Sequence, residues 1–294
     1  MAELALAAHF VAFLLFAFTV GHGGETGRDT GASAGNTRKP AGNTGAGAGD
    51  TRRPAEDGTA RQRRFLLIGR LLLGLGAISL VALGVYRSIV IRFPALTGTY
   101  EGMMVIVVAI DLFLLIGHRR VYRGNPLVLA AGTFTAFLFL VILNSPLIGS
   151  ELHPPIPVLR SYWLVVHVAF AFVGLALFSV GLVVAILAFW SHDPAPLDRT
   201  RDRAVALGFV FYATGGIVFG AIWAEAAWGR FWGWDPKETW ALITTLFYAG
   251  YLHLRYVRRI SQGTARILVI IAWFLAGFTY WGVNALMTGL HSYG

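Results

Sequence analysis

The chain has 294 residues, 56% of them apolar and 13% charged, with a mean hydropathy of +0.64, a balance that excludes a soluble globular protein and fits one crossing a membrane repeatedly. The net charge of +9 does not point to nucleic acid, because Lys and Arg gather in short connections between apolar runs, where they orient a membrane protein. There is no cysteine, hence no disulfide, thiolate metal site or redox thiol of the chain's own, and any thiol chemistry here uses a partner's sulfur.

Apolar runs long enough for a hydrocarbon core of about 30 Å lie near 4–20, 65–90, 101–117, 126–143, 162–190, 204–222, 241–257 and 266–288. They predict an all-α, polytopic membrane bundle of about eight transmembrane helices. Residues 1–20 read as a first transmembrane helix rather than a signal peptide, since Glu3 stands where a basic n-region belongs and no A-x-A site follows. Residues 21–62, rich in Gly, Ala, Thr, Asn and Arg without apolar periodicity, read as a disordered basic cytoplasmic linker. Residues 63–294 then form a seven-helix membrane domain.

Four basic clusters set the orientation. Arg61, Arg63 and Arg64 precede the second helix, and Arg119, Arg120 and Arg123 follow the third. Arg199, Arg201 and Arg203 precede the sixth, and Arg255, Arg258, Arg259 and Arg266 separate the last two. The positive-inside rule makes all four cytoplasmic, and alternation puts both termini outside. Arg87 and Arg92, at the outer end of the second helix, read as exposed; the alternative is that they face an anionic ligand or an acidic partner. Glu101 and Asp111, in or near the third helix, serve proton balance or pair with a basic group.

Five of the nine tryptophans, Trp223, Trp228, Trp232, Trp234 and Trp240, fall within 223–240. An aromatic belt also gathers tryptophan at a membrane interface, but it spreads over many helix ends. Here the indoles crowd one loop broken by Gly229 and Gly233, which can lay an aromatic shelf along the surface for a large planar apolar ligand. Haem fits that description. Asp235, Pro236 and Glu238 have the spacing of an N-cap, a first-turn proline and a capping box, and they start the seventh helix. Whether Asp235 also touches a ligand stays open at this point. Arg230 and Lys237 are the nearby cations, either pairing with propionates or snorkelling to the interface.

Membrane depth sorts the histidines. His167, in the outer part of the fifth helix, and His291, beyond the eighth, share a face with the tryptophan loop, which assembles two imidazoles and a shelf suited to axial ligation of haem iron. His253 lies about 20 Å along the seventh helix from Trp240, in the inner half of the membrane. His153 is the alternative external ligand. His9, His22, His118 and His192 read as bystanders near ends or in loops.

The run Trp228-Gly229-Arg230-Phe231-Trp232-Gly233-Trp234-Asp235-Pro236-Lys237-Glu238-Thr239-Trp240, followed by Tyr251-Leu252-His253-Leu254-Arg255, resembles the "WWD" signature of the CcsA (ResC) cytochrome c biogenesis proteins. These belong to the haem-handling superfamily that includes CcmC and CcmF. Supporting matches are Phe93-Pro94 leading to Tyr100-Glu101, Ser161 to Leu164 leading to His167, and the terminal Leu290-His291-Ser292-Tyr293-Gly294, so the likeness spans roughly 93–294.

The resemblance implies that His167 and His291 ligate haem iron above the tryptophan loop, with Trp228, Trp232, Trp234, Asp235 and Trp240 in the haem site. It makes His253 the histidine of an intramembrane transit site, whose other histidine comes from a CcsB (ResB)-like partner. No second deep histidine is evident in the sequence, so the chain resembles half of a synthase. The implied function is the membrane subunit of a system II cytochrome c synthase. It would hold haem b at the external face of a bacterial plasma membrane or thylakoid and present it for thioether attachment to the CXXCH motif of apocytochrome c. A thiol-reducing, thioredoxin-like protein would keep that motif reduced. The alternative is a haem exporter or chaperone without ligation activity.

Overall fold

The computed structural model describes residues 1–23, 52–118 and 120–287. Its helices are α1 (Ala2–Gly23), α2 (Arg52–Ile91), α3 (Thr99–Ile116), α4 (Pro126–Leu143), α5 (Tyr162–Leu187), α6 (Ala195–Ala213), α7 (Gly220–Trp228), α8 (Pro236–Tyr256), α9 (Gln262–Gly277) and α10 (Val283–Leu286). A π-helical turn at Thr214–Phe219 joins α6 to α7, and another at Phe278–Gly282 joins α9 to α10. The result is eight rods, with no strand among the described residues. Seven rods are long and apolar enough to span a membrane. The eighth, α8, is diluted by Lys237, Glu238, His253 and Arg255 together with its threonines and tyrosines. The protein is therefore a multi-pass helical bundle, as expected.

The helix expected to begin at 63 starts earlier, at Arg52. Ala, Glu, Gln and Arg between 55 and 64 are good helix formers, and a helix already nucleated by its apolar run extends at little cost per residue. The rest of the expected linker, 24–51, lies outside the described residues.

Helix α5 is the centre of the bundle and packs on α3, α4, α6 and α9, while α1 lies against α2 and α4. Hydrocarbon gives helices no hydrophobic reason to associate, so small residues that let backbones approach carry the packing. Gly174 and Gly208 do this between α5 and α6: a Cβ on Gly174 would sit 2.6 Å from that of Tyr212, and one on Gly208 would sit 3.1 Å from the Gly174 carbonyl.

Three expectations about polar residues are corrected. His9 is not a bystander at a helix end: it is fully buried, its Nε2 lies 2.9 and 3.0 Å from the two carboxylate oxygens of Asp111, and its Nδ1 lies 2.7 Å from the Ala5 carbonyl. A deep histidine therefore exists after all, and it is engaged on both ring nitrogens. Arg87 is not exposed but 6% accessible, paired with Glu101 where the last turns of α2 meet the first turn of α3. A desolvated guanidinium needs such a carboxylate. Arg92 does stand exposed.

Arg201, expected in a solvated basic cluster, is completely buried. It donates to Asp198 and Asp202 at 2.7 Å and to Gln262 at 2.7 Å. Arg255 reaches Asp202 at 2.9 Å, Arg266 reaches Asp198 at 2.7 Å, and the Tyr251 hydroxyl donates to Asp202 at 2.8 Å. The network ties α6, α8 and α9 together at the end remote from the tryptophan loop. Arg203 donates to the Arg120 and Val121 carbonyls at 2.6 and 2.7 Å, which brings the α3–α4 connection to the same end.

Candidate functional site

A cavity of about 680 Å³ opens among α5, the α6–α7 rod, α8 and the α9–α10 rod, at the tryptophan-loop end. That is the size of a pocket for a substantial small molecule. His167, Trp223 and Trp232 lie in its wall with Phe172, Tyr212 and Tyr280.

The orientation of His167 is built from glycine. The π-helical turn adds a residue to the rod, so the Gly220 N–H reaches back to the Gly215 carbonyl across an i to i−5 span. The same carbonyl accepts the Nδ1–H of His167 at 2.8 Å. Only glycine fits at 215, because a Cβ there would sit 2.5 Å from the Ala171 backbone nitrogen. Donation from Nδ1 fixes the tautomer and leaves the lone pair on Nε2, the arrangement in which an imidazole ligates a metal. The ring stacks on Trp223 with centroids 6.1 Å apart and planes at 8°, and Trp228 meets Trp223 edge-on at 6.2 Å.

The loop from 229 to 235 is tied at both ends. Gly229, at φ +70°, closes α7 in the left-handed conformation that glycine tolerates, its N–H bonded to the Glu225 carbonyl at 2.8 Å. At the other end the capping box forms as the sequence predicts: Asp235 accepts from the Lys237 N–H at 2.9 Å, and Glu238 accepts from the Asp235 N–H at 3.2 Å. Glu238 also accepts from the Gly233 N–H at 2.7 Å, so the carboxylate that starts α8 fastens the loop beside Trp232.

The predicted tryptophans divide. Trp232 lines the cavity; Trp234 stands edge-on to Trp232 at 5.8 Å, 69% exposed and outside the cavity wall. Trp228 backs Trp223, whereas Trp240 lies outside the cavity wall, packed on Phe278 at 4.5 Å. The indole N–H groups of Trp228 and Trp232 are buried and meet no acceptor among the described residues. Asp235 is a buried N-cap. Lys237 reaches the wall and donates to Asn284 at 2.9 Å, joining α8 to α10, while Arg230 is exposed.

Of the other histidines, His153 is exposed, 2.9 Å from Glu151 and away from the cavity. His253 lies in the last turn of α8, on an exposed face at the end carrying the ion-pair network. His291 lies outside the described residues; the chain is described to Met287, itself in the cavity wall. Sequence reasoning missed Gly215, Gly220, Phe172, Tyr212, Thr279 and Tyr280. The glycines were visible as three interruptions, Gly215, Gly216 and Gly220, of an otherwise apolar helix. No group of three metal-ligating side chains occurs among the described residues. Among the described residues the cavity wall presents one imidazole, His167, beside Trp223.

A family model described as cytochrome C assembly protein matches residues 96–291. A cytochrome c biogenesis protein CcsA from Chlamydomonas reinhardtii is 39% identical over 153 residues, covering 48% of this chain and 43% of that protein. The CcsA of Cucumis sativus is 30% identical over 262 residues, 71% of this chain and 80% of its own length. Protein NrfI of Wolinella succinogenes is 32% identical over 243 residues, 78% of this chain and 26% of that protein. This chain thus spans less than half of two of these relatives. Among solved structures, the cytochrome c heme lyase CcmF matches with a TM-score of 0.60 over 95% of this chain and 45% of that one, at 16% identity, a likeness of fold.

Proposed function

Because the chain belongs to the cytochrome C assembly protein family, we propose that it is the membrane subunit of a system II cytochrome c synthase, taking haem b as substrate and presenting it to apocytochrome c. The observation that carries this reading is His167: an imidazole in a cavity wall, stacked on Trp223, with its tautomer set by Gly215 so that Nε2 holds the lone pair. His167 would ligate the iron, with His291 as its second ligand. The residues present fit such a substrate. The cavity is large and aromatic on one side, Lys237 supplies a cation at its wall and Arg230 one in the loop, and the buried N–H groups of Trp228 and Trp232 meet no acceptor among the described residues.

The chain's own contribution is positioning. His167 and His291 saturate the iron and keep dioxygen from it. The cap of α8 would hold Trp232 in the wall and Trp234 beside it, leaving the vinyl groups of the substrate accessible. The two thiols of a reduced CXXCH segment then add across those vinyls, and the histidine of the segment takes over one axial position. No nucleophile of this chain is involved, and proximity supplies the rate. A CcsB (ResB)-like membrane protein, the apocytochrome and a thiol-reducing thioredoxin-like protein are the partners this chemistry requires. The active face is external.

Co-expression with a CcsB-like protein and an apocytochrome, followed by a haem stain of the denatured product, tests the reading. Covalent haem on the cytochrome is expected; bound haem without covalent product would make the chain an exporter or chaperone. Reporter tags inserted after residue 150 and after residue 192 should report the outside and the cytoplasm respectively, and the reverse result would remove the external site.

A further inference from the structure

The ion pair between Arg87 and Glu101 lies outside the cavity, yet everything it holds leads to one wall of it. Arg87 sits in the last turns of α2, 6% exposed, and Glu101 in the first turn of α3, 9% exposed. The guanidinium meets one carboxylate oxygen through Nε at 2.8 Å and through Nη2 at 2.5 Å. Its Nη1 donates to the Ser150 carbonyl at 2.8 Å, and Nη2 lies 3.5 Å from that of Glu151. Tyr100 closes the arrangement, its ring centroid 4.5 Å from Cζ. One side chain therefore fastens two separate connections, the α2–α3 loop through Glu101 and the α4–α5 loop through Ser150.

Both connections end in the cavity wall. The first contributes Leu96, Thr97, Gly98 and Thr99, and the second contributes Leu159. Gly98, at the N-cap of α3, has no side chain with which to cap the helix, and it lies so close beneath the Glu101 carboxylate that any Cβ would collide with it. Glu101 itself stabilises the first turn of α3 by facing the positive end of the helix. The pair thus sets how far the two loops stand apart, although neither Arg87 nor Glu101 appears in the wall.

We propose that Arg87 and Glu101 are positioning residues that hold the two loops together as one wall of the cavity and so govern how firmly a planar anionic ligand is retained. The proposal deepens the haem reading of the same cavity and rests on it only for the identity of the ligand. Replacing a buried ion pair by apolar side chains of similar volume is often tolerated by the fold, whereas removing one partner strands a buried charge. The variant of choice is therefore the double replacement Arg87→Met/Glu101→Leu. Arg87→Lys is its companion, keeping the charge while losing the fork that reaches Glu101 and Ser150 at once.

The absence of native cysteine allows a single probe, Thr97→Cys in the wall, and a control outside it, His192→Cys, exposed in the α5–α6 connection. In purified full-length protein without haem, maleimide should modify Thr97→Cys severalfold faster in the double variant and by an intermediate amount in Arg87→Lys, with the His192→Cys rate unchanged. Equal rates at Thr97→Cys in a folded double variant, or a parallel rise at His192→Cys, would overturn the proposal. In haem-loaded protein, transfer to apomyoglobin should accelerate severalfold while the absorption spectrum keeps its ligation state, because the iron ligands are elsewhere. A changed spectrum with unchanged transfer would also overturn it. The labelling arm needs no haem, so failure of the haem reading alone leaves its result standing.

Discussion

The Nδ1–H of His167 donates to the carbonyl of Gly215 at 2.8 Å across 48 residues of chain. The proposed ligand histidine on α5 is thereby oriented by an irregular turn in a different rod, and the state of that turn should be readable in the spectrum of added haem. His167→Ala should lower bound haem or leave a five-coordinate spectrum, and added imidazole should restore both by filling the vacated position. Gly215→Ala, which forces a Cβ against Ala171, should lose about 1–3 kcal/mol of stability and shift the spectrum with His167 still present. If His153→Ala shows the haem loss and its rescue by imidazole while His167→Ala does not, the ligand assignment is wrong.

Asp235 and Glu238 bind the tryptophan loop to the start of α8, so their effects should extend beyond helix stability. Asp235→Ala should cost about 0.5–2 kcal/mol, seen as a lower thermal midpoint, and Asp235→Asn much less, since its side-chain oxygen still accepts the Lys237 N–H. Glu238→Gln retains an acceptor for the Gly233 and Asp235 N–H groups and should keep haem binding, whereas Glu238→Ala should reduce it. Equal haem content in all four variants would separate the cap from the site.

His9 and Asp111 pair in the bundle interior, and the pair should behave as a unit. Removing either partner alone strands the other, at about 3–5 kcal/mol. The double variant His9→Leu/Asp111→Leu should recover most of that loss. A thermal-melt double-mutant cycle in detergent reads the coupling directly. Strict additivity of the two single losses would mean that the contact contributes nothing.

His253 lies on an exposed face in the last turn of α8, so replacing it removes little packing. His253→Ala should therefore leave the thermal midpoint unchanged. If a partner completes a transit site around it, the haem-to-protein ratio after co-purification with that partner should fall, and imidazole during growth should raise it again. A normal ratio together with a normal yield of cytochrome c would end the transit role.

The fold class and the place of the cavity were legible in the sequence. Eight apolar runs become eight rods because each backbone polar group in hydrocarbon must be satisfied within its own segment, which makes a spanning helix a local property readable from composition alone. The capping box at Asp235 and Glu238 is equally local: its partners lie within three residues, and it forms where the spacing says. The crowding of tryptophan into 223–240 and the position of His167 marked the cavity before its walls were known.

What the tertiary structure decided is everything that depends on which rod faces which. His9 and Asp111, 102 residues apart, looked like a bystander and an unassigned acid until α1 and α3 were laid together. Arg87 and Arg201 look by sequence like ordinary cations at helix ends, and the carboxylates of Glu101, Asp198 and Asp202, with the Ser150 carbonyl and the Gln262 side chain, make their burial tolerable. Trp240 reads like its neighbours yet turns onto Phe278, because it lies inside α8, which packs on the α9–α10 rod, while Trp232 and Trp234 lie in the loop before that helix. Period and composition fix the helices; desolvation of charge and close contact between glycines fix their arrangement, and those forces act only between segments distant in the chain.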